Sequence, residues 1–253
     1  MRLWPGAVLA AAILWGAPAA AQPFTPEQRQ EIIGILREAL RTDPSILREA
    51  FEALRLAEAE AQEEARRAAI AAEAEALFRD PEAPVLGNPA GAVTLVEFFD
   101  IRCGYCKQLH PVRAELLRRN PDARVVLKDL PILGPNSVLG ARALLAAQRQ
   151  GKYAALHDAL MRLREEPTEP VLRREAERAG LDWARLRRDM EEPAIQRRLE
   201  GNMRLARALN IEGTPALVIG ETLIPGAVDL GTLQALVAAE RERLARDAAP
   251  AGR

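Results

Sequence analysis

The two cysteines of this chain lie three residues apart, where an apolar stretch gives way to a helical pattern. The apolar stretch is VTLVEFFD, a run typical of a buried central strand. After Cys103, the residues Leu109, Val112 and Leu116 recur at helical spacing, with charged residues between them. A strand that ends, and a helix that begins, at the cysteine pair favour an α/β fold.

The remainder of the chain supplies further strands and helices. ARVVLKDLPI predicts a second strand, and a helical stretch follows at about 136–210. Breaks in this stretch are expected at Gly151, Pro167, Pro170, Gly180 and Pro193. TPALVIG and TLIPG predict a hairpin turning at Gly220 and Glu221, and Asp229 caps a final helix. The sequence therefore predicts an α/β sheet interrupted by a helical insertion.

The first 21 residues have the pattern of a secretory signal peptide. A short basic start precedes the apolar run of residues 3–17, which is short for a membrane span. Small residues then lead to a cleavage site after Ala21. An uncleaved anchor is the alternative. Export places the protein in a compartment that permits disulfides.

Residues 22–80 are predicted to form a helical stalk that precedes a domain at 81–253. Thr25 caps a first helix with Pro26 at its first position, and Thr42 or Asp43 caps a long second helix. The apolar positions of these helices have little else to pack against, which favours self-association as a dimer or trimer. A solvated helix is the alternative.

The overall charge gives no sign of a nucleic-acid partner. The formal net charge is −1, and 28% of the residues are charged. Nucleic-acid-binding domains are usually clearly basic. Nucleic acid is therefore not expected among the partners of this protein.

The spacing of the cysteines predicts a redox pair. At the start of a helix, Cys103 faces unpaired N–H groups and the positive end of the helix dipole, which favour its thiolate form. Cys106 lies one turn further on and would resolve a mixed disulfide. Gly104 would keep the approach to Cys103 open, and Tyr105 would flank it.

Two other uses of the cysteines stay open. One is a structural disulfide, and the other is a two-thiolate site for Cu(I). Zinc would require more ligands, and the only histidines are His110 and His157. His110 is expected on the surface of the helix rather than as a ligand. No metal site is predicted.

Glu97 is the single acidic residue inside the apolar strand that leads to Cys103. A buried carboxylate at this position could take up and return the proton of Cys106. The alternative is an acid at the strand edge that faces water. Lys128, on the neighbouring predicted strand, is expected either to pair with Glu97 or to be solvated.

From about residue 85 to 247 the sequence resembles the thioredoxin-fold proteins of the DsbA family. The resemblance is carried by EFFDIRCGYCKQLHP, which is similar to that family's active-site motif, and by GTPALVIG, which is similar to its cis-proline loop. It implies that Cys103 and Cys106 are the redox pair and that Glu97 is the buried acid beneath them. Thr214 and a cis Pro215 would bind an extended protein substrate.

Within that family the chain is most similar to the ScsC-type proteins and related stalked isomerases. Three features carry this likeness: the helical N-terminal extension, the stretch LKDLPILGPNS and the Cys-Gly-Tyr-Cys motif. It implies a periplasmic disulfide isomerase that acts on disulfide-containing proteins, needs no cofactor and is reset by a membrane redox partner. A DsbA-like oxidase and a copper-binding relay are the alternatives, and a holdase or scaffold is a third.

Overall fold

The computed structural model describes residues 24–248, so the predicted signal peptide at residues 1–21 lies outside the described residues. The chain divides into two compact units, and the boundary between them in the sequence follows Ala59. They are called here the N-terminal unit (described from residue 24 to 59) and the C-terminal unit (60 to 248). None of the helices within the described range is long and apolar enough to cross a lipid bilayer.

The N-terminal unit consists of helix α1, Pro26–Thr42, and the first half of helix α2, Ser45–Ala72. Thr25 caps α1 as predicted: its hydroxyl accepts from the Gln28 N–H, and the Gln28 side chain accepts from the Thr25 N–H. No residue of α1 is buried. The exposed large apolar side chains of this unit are Phe24, Ile32, Ile33, Ile35, Leu36, Ile46, Leu47, Phe51, Leu54 and Leu56.

The C-terminal unit is built on a five-stranded mixed sheet. Its strands are β1 Val85–Gly87, β2 Val93–Phe99, β3 Ala123–Asp129, β4 Ala216–Ile219 and β5 Thr222–Pro225. Their order in the sheet is β1-β3-β2-β4-β5. Strands β2 and β3 are parallel, and the other three pairings are antiparallel. The hairpin that the sequence predicted is formed by β4 and β5.

Helices cover the sheet and form the predicted insertion. Beyond α2 they are α3 Ala74–Phe78, α4 Gly104–Arg119, α5 Pro135–Gln148, α6 Tyr153–Arg162, α7 Glu169–Arg178, α8 Trp183–Asp189, α9 Pro193–Ala208 and α10 Leu230–Ala248. Breaks fall at Gly151 and Gly180, both with positive φ, as the sequence predicted. The carboxylate of Asp229 accepts from the Thr232 N–H at 2.7 Å and caps α10.

Strand β2 is buried on both faces of the sheet. On one face, Leu95 and Phe99 pack with residues of α4, α10 and the insertion. On the other face, Val96 and Phe98 pack with Leu77 and with residues of α9. Alternate side chains of one strand therefore enter two separate cores, which explains why its sequence is apolar almost without interruption.

The structure differs from the sequence prediction at two places before β2. The proline- and glycine-rich joint contains β1, which pairs with β3 and was not predicted. The boundary between the two units follows Ala59, whereas the sequence analysis placed it at residue 80. Ile70 and Leu77 explain this difference, because both are buried in the core of the C-terminal unit. The last part of the predicted stalk therefore belongs to that unit.

Candidate active site

The two cysteines lie where β2 meets α4, as the sequence predicted. Cys103 is the N-cap residue of α4, with φ −69° and ψ 120°, and its N–H donates to the Asp100 carbonyl at 3.0 Å. Both residues are free thiols. Cys103 is 8% exposed as a residue, whereas Cys106, in the first turn of the helix, is fully buried. Cys103 is therefore the more accessible of the two cysteines.

The two thiols have different chemical environments. Burial raises the pKa of Cys106 well above the usual value for a cysteine, and the nearby Cys103 acts in the same direction. Cys106 therefore keeps its proton until a base removes it. Cys103 caps the positive end of the α4 dipole, where a negative charge is stabilised. These environments suit Cys103 for attack and Cys106 for resolution.

The loop before β4 lies directly against Cys103. The Thr214–Pro215 bond is cis, as the resemblance implied. The Cys103 thiol donates to the Thr214 carbonyl at 3.1 Å. The Pro215 carbonyl accepts from the Gly226 N–H at 2.8 Å, which fixes the loop to the end of β5. The structure thus brings together the predicted nucleophile and the two predicted substrate-binding residues.

Gly104 and Tyr105 occupy the first turn of α4, beside the exposed edge of Cys103. Apart from the neighbouring residues and the helix's own backbone, no atom lies within 4 Å of the position that a Cβ at Gly104 would occupy. Tyr105 is 65% exposed. The start of α4, directly after Cys103, therefore borders open space.

Glu97 is fully buried on the face of β2 that packs against α4, and it forms an ion pair with Arg113 of that helix. The distance from Arg113 Nη1 to Glu97 Oε2 is 2.7 Å. Arg113 Nη2 contacts His110 Nδ1 at 2.8 Å, and His110 Nε2 contacts Asp158 Oδ1 at 2.9 Å. A polar network thus runs from the sheet through α4 to the insertion. The alternative of a water-facing acid is wrong.

The prediction that Lys128 pairs with Glu97 is wrong, and so is its solvated alternative. Glu97 lies opposite Leu127 in the parallel register, so Lys128 lies beside Phe98 and faces the other side of the sheet. Lys128 is buried there, and its Nζ is 2.8 Å from the Asp80 carboxylate. Burial lowers the pKa of Lys128, and the Asp80 carboxylate opposes this shift.

The prediction that His110 lies on the helix surface is also wrong. His110 is buried, and both of its ring nitrogens contact side chains. Burial and the charge of Arg113 lower the pKa of His110. His157 is buried with its ring against Phe99, at a centroid distance of 5.0 Å. Within residues 24–248, no three histidine, cysteine or acidic side chains form a group that could hold a metal ion.

Asp100, at the end of β2, was not predicted as part of the site. Its buried carboxylate accepts four hydrogen bonds, two on each oxygen. The donors are the backbone N–H groups of Arg102, Ile132 and Leu133 and the hydroxyl of Ser137. Asp100 therefore fastens the loop after β3 to the segment that carries Cys103. Its position directly after an apolar strand was the available signal.

Two cations that flank the cysteine motif were also missed. Arg102 forms a two-pronged ion pair with Glu166, with both N–O distances at 2.8 Å. Lys107 donates from Nζ to the Leu163 carbonyl at 2.6 Å. Both contacts reach the loop between α6 and α7, so the insertion contributes directly to the surroundings of Cys103.

This fold and this cysteine pair define the class of thioredoxin-like thiol–disulfide oxidoreductases. Residues 94–238 match the DSBA-like thioredoxin domain. The chain belongs to that family.

Solved structures agree with this assignment. A thioredoxin-like oxidoreductase from Silicibacter pomeroyi is 44% identical with a TM-score of 0.65, and the alignment covers 66% of this chain and 97% of that one. ScsC of Proteus mirabilis in a transitional conformation is 30% identical with a TM-score of 0.65, covering 87% and 98%. Its catalytic domain alone is 31% identical with a TM-score of 0.64, covering 69% and 97%.

The curated relatives are much longer proteins. The chain spans about a quarter of the length of the curated relatives it matches. The first of these is a Na⁺/H⁺ antiporter NhaA of Salinispora tropica, which is 31% identical over 62% of this chain.

Proposed function

We propose that the protein is an exported protein disulfide isomerase that works as a self-associated assembly. Cys103 is the nucleophile, Cys106 the resolving thiol, and the substrates are proteins that contain wrong disulfides. The apolar surface of the N-terminal unit carries the isomerase assignment, because it favours several active sites in one particle. The contact between Cys103 and the Thr214 carbonyl supports the site assignment.

The proposed reaction is thiol–disulfide exchange. The Cys103 thiolate attacks one sulfur of a substrate disulfide, the substrate S–S bond breaks, and a substrate thiolate leaves. In isomerisation, that thiolate or another substrate thiol later displaces Cys103 and forms a new substrate disulfide. If this is slow, Cys106 loses its proton, attacks the Cys103 sulfur and releases the substrate reduced. A membrane reductase would then return the cysteine pair to dithiol.

Glu97 is proposed as the acceptor of the Cys106 proton. The Glu97 Oε2 atom is held by Arg113, whereas Oε1 accepts no hydrogen bond within the described part of the chain. One oxygen of the carboxylate is therefore anchored while the other stays available for a proton. A carboxylate with one free oxygen can accept a proton, either directly or through one bridging water.

Thr214 and Pro215 are proposed to hold the substrate backbone beside Cys103. The loop is fixed through the Pro215 carbonyl, and its Thr214 carbonyl already faces the nucleophile. An extended segment of substrate would pair with this backbone, which gives affinity without requiring a particular sequence. Gly104 and Tyr105 would border the same segment.

The N-terminal unit is proposed to join copies of the chain. Its large apolar residues remain exposed to solvent in the described part of the unit, including Leu36 at 55% and Phe51 at 62% exposure. The alignment with whole ScsC extends over 87% of this chain, against 69% for the ScsC catalytic domain. This difference in coverage supports the proposal that the N-terminal helices correspond to the part of ScsC outside its catalytic domain. Several sites in one particle would keep a substrate engaged after each exchange.

The test compares two full-length variants of the exported chain, without residues 1–21. The first carries Leu36→Glu and Phe51→Glu on the apolar face. The control carries Arg41→Glu, whose 80% exposed side chain lies on a different side of α1 from Leu36. This substitution changes the net charge by the same two units. Light scattering after gel filtration gives the particle mass, and recovery of a ribonuclease with scrambled disulfides gives isomerase activity.

The proposal expects the apolar-face variant to become monomeric and to lose most isomerase activity, with the control unchanged. The proposal fails if the wild-type chain cannot rescue the scrambled ribonuclease but rapidly oxidises a reduced one, which is the behaviour of an oxidase. Tight binding of Cu(I) with no exchange activity would also contradict it. That copper site would have only the two cysteine sulfurs, because both nitrogens of His110 contact other side chains.

A further inference from the structure

The cysteine motif is flanked by two cations that contact the same loop of the insertion. Arg102 precedes Cys103, and Lys107 follows Cys106. The guanidinium of Arg102 is held by both oxygens of Glu166, and the ammonium of Lys107 is held by the Leu163 carbonyl. Arg102 also donates to the Leu133 carbonyl. The two cations that flank the cysteine motif are therefore both held by residues 163–166.

The two cations differ in how their charge is balanced. Glu166 neutralises the charge of Arg102 through a bidentate ion pair. Lys107 contacts only a neutral carbonyl, and none of the ion pairs found within residues 24–248 includes it. Burial lowers the pKa of Lys107, and the charges of Glu166 and Cys103 oppose this shift. The carboxylate of Glu166 therefore acts on both cations, and Lys107 is the cation whose charge interacts with Cys103.

We propose that Glu166 is a positioning residue that sets the redox equilibrium of the cysteine pair. By pairing with Arg102 it withholds one positive charge from the Cys103 thiolate and leaves Lys107 as the cation that supports it. Less stabilisation of the thiolate makes the reduced pair less stable and the pair less oxidising. This inference rests on the proposed role of Cys103 as the nucleophile.

Three variants separate an electrostatic role from a structural one. Glu166→Gln removes the negative charge and leaves Arg102 free to face the thiolate. Arg102→Gln removes the positive charge and leaves Glu166 unbalanced. The double variant removes both charges. Glu165→Gln is the matched control, because Glu165 is a similarly exposed neighbour that pairs with Arg174 instead.

Two measurements report on Cys103. Thiolate absorbance near 240 nm at fixed pH reports its ionised fraction, because burial keeps Cys106 protonated. Equilibration with glutathione reports the redox balance. In that equilibrium the protein dithiol and one glutathione disulfide give the protein disulfide and two glutathione thiols, with two electrons and two protons transferred.

Glu166→Gln should increase the thiolate fraction of Cys103 and lower the equilibrium constant for oxidation by glutathione disulfide. A single charge at this partly exposed site acts through a near-aqueous dielectric, so we expect a change of about two- to fivefold. Arg102→Gln should shift both quantities in the opposite direction. The double variant should return close to the wild-type value, and the control should not change.

The inference is overturned if both single variants shift the equilibrium in the same direction, since loss of structure would do this. It is also overturned if Glu166→Gln behaves like Glu165→Gln. Failure of the wild-type chain to exchange with glutathione would instead reject the proposed function. The two failures are therefore distinguishable in one set of experiments.

Discussion

Replacing Arg113 by methionine would leave a buried carboxylate without its counter-charge. Glu97 is fully buried, and Arg113 is the only described residue that donates to it. Methionine has nearly the same helix propensity as arginine and can fill much of the same space, so α4 itself should persist. The change therefore removes the ion pair with Glu97 and the contact with His110 while the helix is kept.

The expected loss of stability is large because both side chains of the ion pair are excluded from solvent. The Arg113 side chain is 4% exposed, and that of Glu97 is 0% exposed. Removing one partner of such a pair usually costs about 3–5 kcal/mol, since the remaining charge is not solvated. For a chain of this size, this corresponds to a fall in melting temperature of roughly 6–20 °C.

Urea unfolding of the chain without residues 1–21 measures this loss. Trp183 is then the only tryptophan, so its fluorescence follows the C-terminal unit. Arg118→Met is the control, because Arg118 lies on the same helix but forms an exposed pair with Glu115; it should leave the midpoint unchanged. Adding Glu97→Gln to Arg113→Met should recover part of the lost stability. A loss below about 1 kcal/mol for Arg113→Met would refute the reasoning.

Three further predictions concern buried groups. Burial raises the pKa of Asp129 to about 7, above the unfolded value of about 3.9. The protonated Asp129 side chain therefore contributes its full stability below about pH 4, and this contribution is lost as the pH rises through about 7. Asp129→Asn should therefore flatten the unfolding free energy measured between pH 4 and 8, and an unchanged slope would contradict this. Iodoacetamide should modify Cys103 and spare Cys106 in the native reduced protein, as peptide mass spectrometry would show, and equal labelling would count against the assignment. Gly140→Ala should cost about 1–3 kcal/mol in urea unfolding, because the added methyl meets the buried side chain of Ile101; a neutral result would mean that Ile101 moves aside.

Local pattern was sufficient to predict most elements of the C-terminal unit. The apolar run before Cys103 and the helical spacing after it placed β2 and α4, and the glycines at 151 and 180 marked real helix breaks. Strand β1 was missed because three residues between prolines and glycines carry no alternating pattern. Its existence depends on pairing with β3, which is a long-range contact.

The partner of Glu97 was missed for a geometric reason. The sequence analysis compared neighbouring strands and chose Lys128, but the parallel register puts these two side chains on opposite faces. The correct signal was on the helix, where Cys106, Leu109, Arg113 and Leu116 share its buried side. An arginine among core positions indicates a buried anion, and Glu97 was the available one.

The carboxylate of Asp100 links the segment that carries Cys103 to a loop about thirty residues later in the chain. It satisfies two backbone N–H groups and one hydroxyl of residues 132–137. An insertion or deletion in that loop would break bonds that also hold the cysteine segment. The two segments should therefore change together or not at all during evolution, and a loop transplanted from a relative should work only when it brings donors at the same three places.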